Sequence, residues 1–167
     1  MLINMSRRGF TIVELVVIIA AMGILLIIGF VNVRGVEATA RDAERKTDIE
    51  TLILQLDAYY RSGADGGTVF GKYPSTSELI GNETSLLRDL DTKSIMAPGQ
   101  TSSSLVAAQD ANEPVTAPTV TINTYIYQPL QADGSLCTTS SQECRRFNLY
   151  YRLESDNTVY SATGKNQ

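Results

Sequence analysis

Glu14 is the one ionisable side chain between Phe10 and Val33. From Leu15 to Val33 nineteen residues follow without a charge, close to the roughly 20 that a helix needs to cross a bilayer core. A carboxylate at the edge of such a run is costly unless it is paired or reaches the interface. The chain offers a partner. Met1 to Gly9 is short and basic and ends in glycine, and a cut between Gly9 and Phe10 would create an ammonium group four residues before Glu14. In lipid the two opposite charges attract far more strongly than in water. An unpaired Glu14 is correspondingly unfavourable there.

Arg8-Gly9-Phe10-Thr11-Ile12-Val13-Glu14-Leu15, with the apolar run behind it, resembles the N-terminal signature of the type IV pilin and type II secretion pseudopilin family. The resemblance implies a prepilin peptidase that cuts after Gly9 and methylates the Phe10 amine. It also implies that Glu14 of one subunit attracts the Phe10 amine of a neighbour during filament assembly. Arg41 to Ile49, leading to Leu56-Asp57-Ala58-Tyr59-Tyr60, looks like the helix that carries a pilin head, and Gly71-Lys72-Tyr73-Pro74 looks like the loop after it. Many pilins have a proline in the membrane half of this helix. Here no proline precedes Pro74; Gly23 and Gly29 stand there instead, each less favourable than alanine by about 1 kcal/mol.

Two other readings of the segment stay open. It is a plain anchor if Glu14 snorkels to the headgroups. It is a cleavable signal if Ser6-Arg7-Arg8-Gly9-Phe10 opens a twin-arginine sequence and Ala38-Thr39-Ala40 is the cleavage site, which would release a secreted binding domain. Against the signal, the apolar run exceeds the usual ~7–15 residues. Between Val33 and Ala38 nothing except Gly35 would break the helix for a peptidase.

Composition limits what such a segment carries. The chain has 167 residues and net charge −4. Loss of Arg7 and Arg8 takes the basic residues from 14 to 12 against 18 acidic ones, a net −6. Some 130 residues beyond the apolar segment suffice for one compact domain. An acidic protein is not drawn to phosphate backbones, so nucleic acid is not an expected partner. With no histidine there is no imidazole base. Two cysteines, Cys137 and Cys144, are too few for a thiolate zinc site. On an exported chain they read as a disulfide closing an eight-residue loop.

The remaining chemistry is sparse. There is no phosphate-binding glycine loop and no spaced metal cluster, so no enzyme activity and no cofactor or metal is expected. Glu154 and Asp156 are two carboxylates in a turn, whereas calcium takes 6–8 oxygens. Arg145, Arg146, Arg152 and Lys165 with Tyr150 and Tyr160 make a small basic and aromatic group. Single-stranded nucleic acid would suit it, but tyrosines at a subunit interface suit an acidic subunit better.

The elements that must position these residues follow from periodicity. Val36, Ala40, Ala43, Ile49, Leu52, Ile53, Leu56, Tyr59 and Tyr60 recur mostly at intervals of three or four and mark one helix face. Glu37 with Arg41, and Asp42 with Lys46, lie four apart on the opposite, solvated face. One helix from Phe10 to about Arg61 is expected, about 78 Å long at 1.5 Å per residue. Ser62-Gly63 and Asp65-Gly66-Gly67 stop it. Residues 75–92 suggest one or two helical turns, and residues 97–119 a surface connection. Val120, Ile122, Ile126 and Leu130 alternate with Thr121, Asn123, Tyr125 and Tyr127. Phe147, Leu149, Tyr151 and Leu153 alternate with Asn148, Tyr150, Arg152 and Glu154. With Thr158 to Ala162 these runs predict an antiparallel meander.

The expected fold class is therefore α+β: a long N-terminal helix, with a membrane half and an amphipathic half, packed on a C-terminal antiparallel sheet of three to four strands, as in pilins. The expected organisation is leader 1–9, apolar helix 10–33, amphipathic helix 34–62, connection 63–119 and sheet 120–167. The expected function is that of a structural subunit of a type IV pilus-like filament. The alternatives are a pseudopilin of a secretion or DNA-uptake machine and the secreted domain released after Ala40. Expected partners are further copies of the chain in a helical filament, prepilin peptidase, the membrane assembly machinery, and lipid before assembly. The subunit waits as a single-pass protein of the cytoplasmic membrane and ends in an extracellular or periplasmic filament. The basic leader fits a cytoplasmic N-terminus.

Overall fold

A computed structural model of the chain describes residues 9–63 and 70–166, the side chains of residues 29–34 excepted. Arg7, Arg8 and Asp65-Gly66-Gly67 lie outside the described residues. The fold is α+β. Helix α1 (Ile12–Ser62) is followed by the short helices α2 (Thr76–Leu79) and α3 (Glu83–Leu86) and a 3₁₀ turn (Thr92–Ile95). Four strands follow: β1 (Leu105–Ala107), β2 (Tyr125–Leu130), β3 (Arg146–Arg152) and β4 (Val159–Thr163). Contacts divide the chain into two units, Met1–Ala38 and Thr39–Gln167.

The end of α1 has a local cause. Gly63 takes φ 67°, a left-handed conformation natural to glycine just past a helix, and its N–H donates to Tyr59 O at 2.7 Å. α2 opens at Ser75, whose N–H and hydroxyl both donate to Glu78 Oε2, at 2.8 and 2.7 Å. This carboxylate satisfies donors that a helix start would otherwise leave orphaned.

The sheet has the order β1-β2-β3-β4. β2–β3 and β3–β4 pair antiparallel, Ile126 opposite Tyr150 and Tyr150 opposite Ser161. β1 pairs parallel with β2, Leu105 opposite Tyr125, so the sheet is mixed rather than antiparallel throughout. β1 falls inside the stretch read as a surface connection. Three residues are too few to show a period of two, and the surrounding Ser and Thr hide them.

Both faces of the central strands are covered. On one side Ile49, Leu52, Leu56 and Tyr59 of α1 join Tyr125, Tyr127, Phe147, Leu149 and Tyr151 in the main core. A fully buried leucine such as Leu52 or Leu56 contributes about 1.5–3 kcal/mol relative to exposure. On the other side Ala108, Val115 and Val120 pack over Ile126 and Tyr150. Gln128 anchors this cover, donating through Nε2 to Asp110 O at 3.0 Å and Asn112 O at 2.8 Å.

This second layer inverts the expected phase of β2. Tyr125 and Tyr127 face α1 and Ile126 faces away. Every β2 residue is buried, so no solvent side remains for alternation to report. The tyrosine rings fill the core because their hydroxyls find acceptors: Tyr125 donates to Asp48 Oδ2 at 2.8 Å and Tyr127 to Pro74 O at 2.7 Å.

The chain end is fixed on α1. Asp57 accepts the hydroxyl of Tyr73 at 2.8 Å, the Lys165 N–H at 3.1 Å and Asn166 Nδ2 at 3.1 Å. Gly164 passes so close that a Cβ there would lie 2.6 Å from Asp57 Oδ1 and 2.7 Å from both the Phe147 ring and the Tyr73 hydroxyl.

Candidate functional site

The N-terminal residues come first. Gly9, Phe10 and Glu14 are all exposed. Around a Cβ added to Gly9 nothing lies within 4 Å, so no neighbour among the described residues demands glycine there. Thr11 Oγ1 accepts the Glu14 N–H at 3.3 Å, and Glu14 sits in the first turn of α1. Thr11-Ile12-Val13-Glu14 has the capping-box spacing, and a carboxylate there faces the positive end of the helix dipole. Sequence reasoning considered Glu14 as the partner of an amine or as a snorkelling charge and missed this local role, which the T-x-x-E pattern carries.

The large apolar side chains from Phe10 to Ile28 are exposed on every side of α1, Ile12 at 83 % and Leu25 at 69 %. Among the described residues no helix is long and apolar enough to cross a membrane. The apolar run continues into residues 30–33, whose side chains lie outside them.

In the C-terminal unit α1 docks through charge before it docks through hydrocarbon. Asp42, Arg45 and Asp48 are buried, Arg45 to 1 % exposure, where the sequence suggested a solvated face. Asp42 accepts the N–H groups of Glu154 and Ser155 at 2.8 and 2.9 Å. Arg45 donates to Asp42 Oδ1 at 2.8 Å and to Ile122 O at 3.1 Å. Arg41 grips Glu154 with two bonds, at 2.8 and 2.7 Å. Burial pushes Asp42 up, but the Glu154 and Ser155 donors and the Arg45 guanidinium outweigh it and hold the carboxyl below its ordinary value. The Arg41 hydrogen bond is the main influence that lowers Glu154. Ala40 and Ala43, expected on the docking face, are exposed on the other side.

Glu154 thus spends both oxygens on Arg41, and Asp156 accepts the Tyr160 hydroxyl at 2.7 Å and the Thr158 N–H at 2.9 Å. The basic group also comes apart. Arg146 and Arg152 are the two ends of β3, about 20 Å apart at 3.3 Å per residue. Arg145 pairs with Glu143 at 2.6 Å, and Tyr150 is buried.

Cys137 and Cys144 form a disulfide with Cα atoms 5.7 Å apart. Both are fully buried within the main core, not in an isolated polar loop. Their carbonyls accept from Thr76 N at 3.1 Å and Tyr73 N at 2.8 Å, so the bridge carries the chain entering α2. Closing eight residues is worth about 2.5 kcal/mol in the chain-entropy model. Cys137→Ala with Cys144→Ala is therefore expected to cost about 2–3 kcal/mol in denaturant unfolding while leaving a folded protein. Mass spectrometry of the native, non-reduced protein checks the bridge itself, and two freely alkylated thiols would refute it.

Set beside known protein families, characterised proteins and solved structures, the chain matches no family model, no characterised sequence and no experimental fold.

Proposed function

We propose that the chain is a structural subunit of a type IV pilin-like filament, cut after Gly9 and assembled through α1. The observation that carries this reading is the apolar surface from Phe10 to Ile28, uncovered on every side of one helix. Covering it is favourable by about 25 cal/mol per Å². Lipid of the cytoplasmic membrane covers it before assembly and the helices of neighbouring copies cover it afterwards. A single charge at its start, Glu14, then meets the Phe10 amine of the next subunit.

Two further features support the reading. Among the described residues Gly9 has no neighbour that needs it to be glycine, which suits a residue kept small for a peptidase that must approach the backbone. The outward face of α1 in the C-terminal unit offers Ala40, Ala43, Thr47 and Leu54, all exposed. The Thr47 hydroxyl is turned onto Ala43 O at 3.1 Å, and the two alanines beside it permit close helix approach.

N-terminal sequencing of the protein from its own membranes tests the reading. The mature chain is expected to begin at Phe10 and to carry one added methyl group. A start at Arg41 would mark a released secreted domain, and a start at Met1 a plain anchor. Gly9→Val is expected to remain full length in the membrane and to form no filaments; normal assembly of that variant would overturn the processing step.

A further inference from the structure

Asp48 is a buried acid of α1 with a single hydrogen bond and, among the described residues, no cation of its own. Its side chain is buried at 8 % exposure, and the Tyr125 hydroxyl of β2 donates to its Oδ2 at 2.8 Å. Arg45, one turn earlier, is committed elsewhere: to Asp42 Oδ1 at 2.8 Å, to Ile122 O at 3.1 Å, and within 3.7 Å of Glu154 Oε2. The other charged groups that act on Asp48 are Glu44 of α1 and Asp91 just before the 3₁₀ turn, and both add like charge. A buried carboxylate with one hydrogen bond and no dedicated counter-ion is costly in its ionised form.

We propose that Asp48 is an acid-set latch between α1 and β2, taking up a proton on mild acidification and tightening the docking of the helix on the sheet. Removal of the charge relieves the desolvation of a buried anion and its repulsion from Glu44 and Asp91. The bond from Tyr125 survives, because a protonated carboxyl still accepts through its other oxygen.

The titration has a defined direction. Burial, the largest influence, raises Asp48; the Tyr125 bond lowers it, Glu44 raises it, Arg45 lowers it and Asp91 raises it, and the balance lies at about 6 against an ordinary 3.8. The native state therefore holds a proton that the unfolded chain has already released between those two values. The stability this confers is full below the lower value and is lost as pH rises through the upper one. The chain has no histidine, the side chain that ordinarily titrates in this window.

Equilibrium unfolding of the full chain in nonionic detergent, followed by circular dichroism from pH 7.5 to pH 5, reads the latch. The unfolding constant is expected to fall about tenfold over that range. Asp48→Asn, which keeps an acceptor for Tyr125 and carries no charge, is expected to abolish this dependence and to unfold no more easily than the parent at pH 7.5. Glu44→Gln, at an exposed position, is expected to move the midpoint of the dependence to lower pH. A flat profile for the parent protein, or the same profile in Asp48→Asn, would overturn the proposal.

Discussion

Glu14→Gln subunits are expected to insert and to be cut after Gly9, yet to yield filaments at least tenfold more sparsely than the parent when no wild-type subunit is present. Two roles compete for this residue, and their magnitudes separate them. In the first turn of α1, with Thr11 bonded to its N–H, Glu14 favours the helix dipole by about 0.3–1 kcal/mol. Glutamine occupies the same capping-box position and keeps any hydrogen-bonding part of that role. Pairing with the Phe10 amine of a neighbour in a low-dielectric surrounding is a matter of several kcal/mol, and it needs the charge. Loss of the charge also makes the segment more apolar, so insertion into the membrane should not suffer. Counting sheared filaments from Glu14→Gln and Glu14→Ala cells gives the answer. Abundant filaments from Glu14→Gln would assign Glu14 to the helix cap and end the pairing mechanism.

The parts of this molecule that were legible in the sequence are those in which one face is apolar and the other polar. The face formed by Ile49, Leu52, Leu56 and Tyr59 repeats at three and four, and α1 buries it against the sheet. Phe147, Leu149 and Tyr151 alternate with more polar neighbours and face the same core. Where both sides are covered the rule has nothing to read. β2 is buried throughout, and alternation assigned its tyrosines to the wrong face. Of the layer made by Ala108, Val115 and Val120, the first two fall in the stretch that reads as surface, because its apolar residues are too widely spaced for either period. The charged half of the docking face was missed for a different reason. Counting apolar residues cannot find a face that begins with Asp42, Arg45 and Asp48. Their spacing of three does continue the stripe of Ile49 and Leu52, and that phase was the available signal. At the N-terminus the residues that carry the proposed chemistry, Gly9, Phe10 and Glu14, are exposed, and their meaning rests on their order in the chain.

The buried seam gives the largest expected effect on stability. Arg45→Ala is expected to cost about 3–5 kcal/mol, because it leaves the Asp42 carboxylate, 4 % exposed, without its cation. It also removes the donor that holds Ile122 O. The backbone donors from Glu154 and Ser155 remain, so the carboxylate stays solvated in part and the protein still folds near neutrality. Acid response sharpens the test. In the parent protein Asp42 is held below 3.8, so its contribution is present above that value and is lost as pH falls through the lower native one. Without Arg45 an attraction that lowers Asp42 is gone, and acid unfolding is expected to begin at higher pH. A charge-free seam separates the energy of the pair from the penalty of an orphaned ion. Arg45→Met with Asp42→Asn removes both charges and keeps most of the volume, so it should unfold less readily than Arg45→Ala alone. Denaturant titrations of the single and double variants measure this directly. A cost below about 1 kcal/mol for Arg45→Ala is the value expected of a solvated surface pair, and it would show that the Arg45–Asp42 pair does little to hold α1 on the sheet.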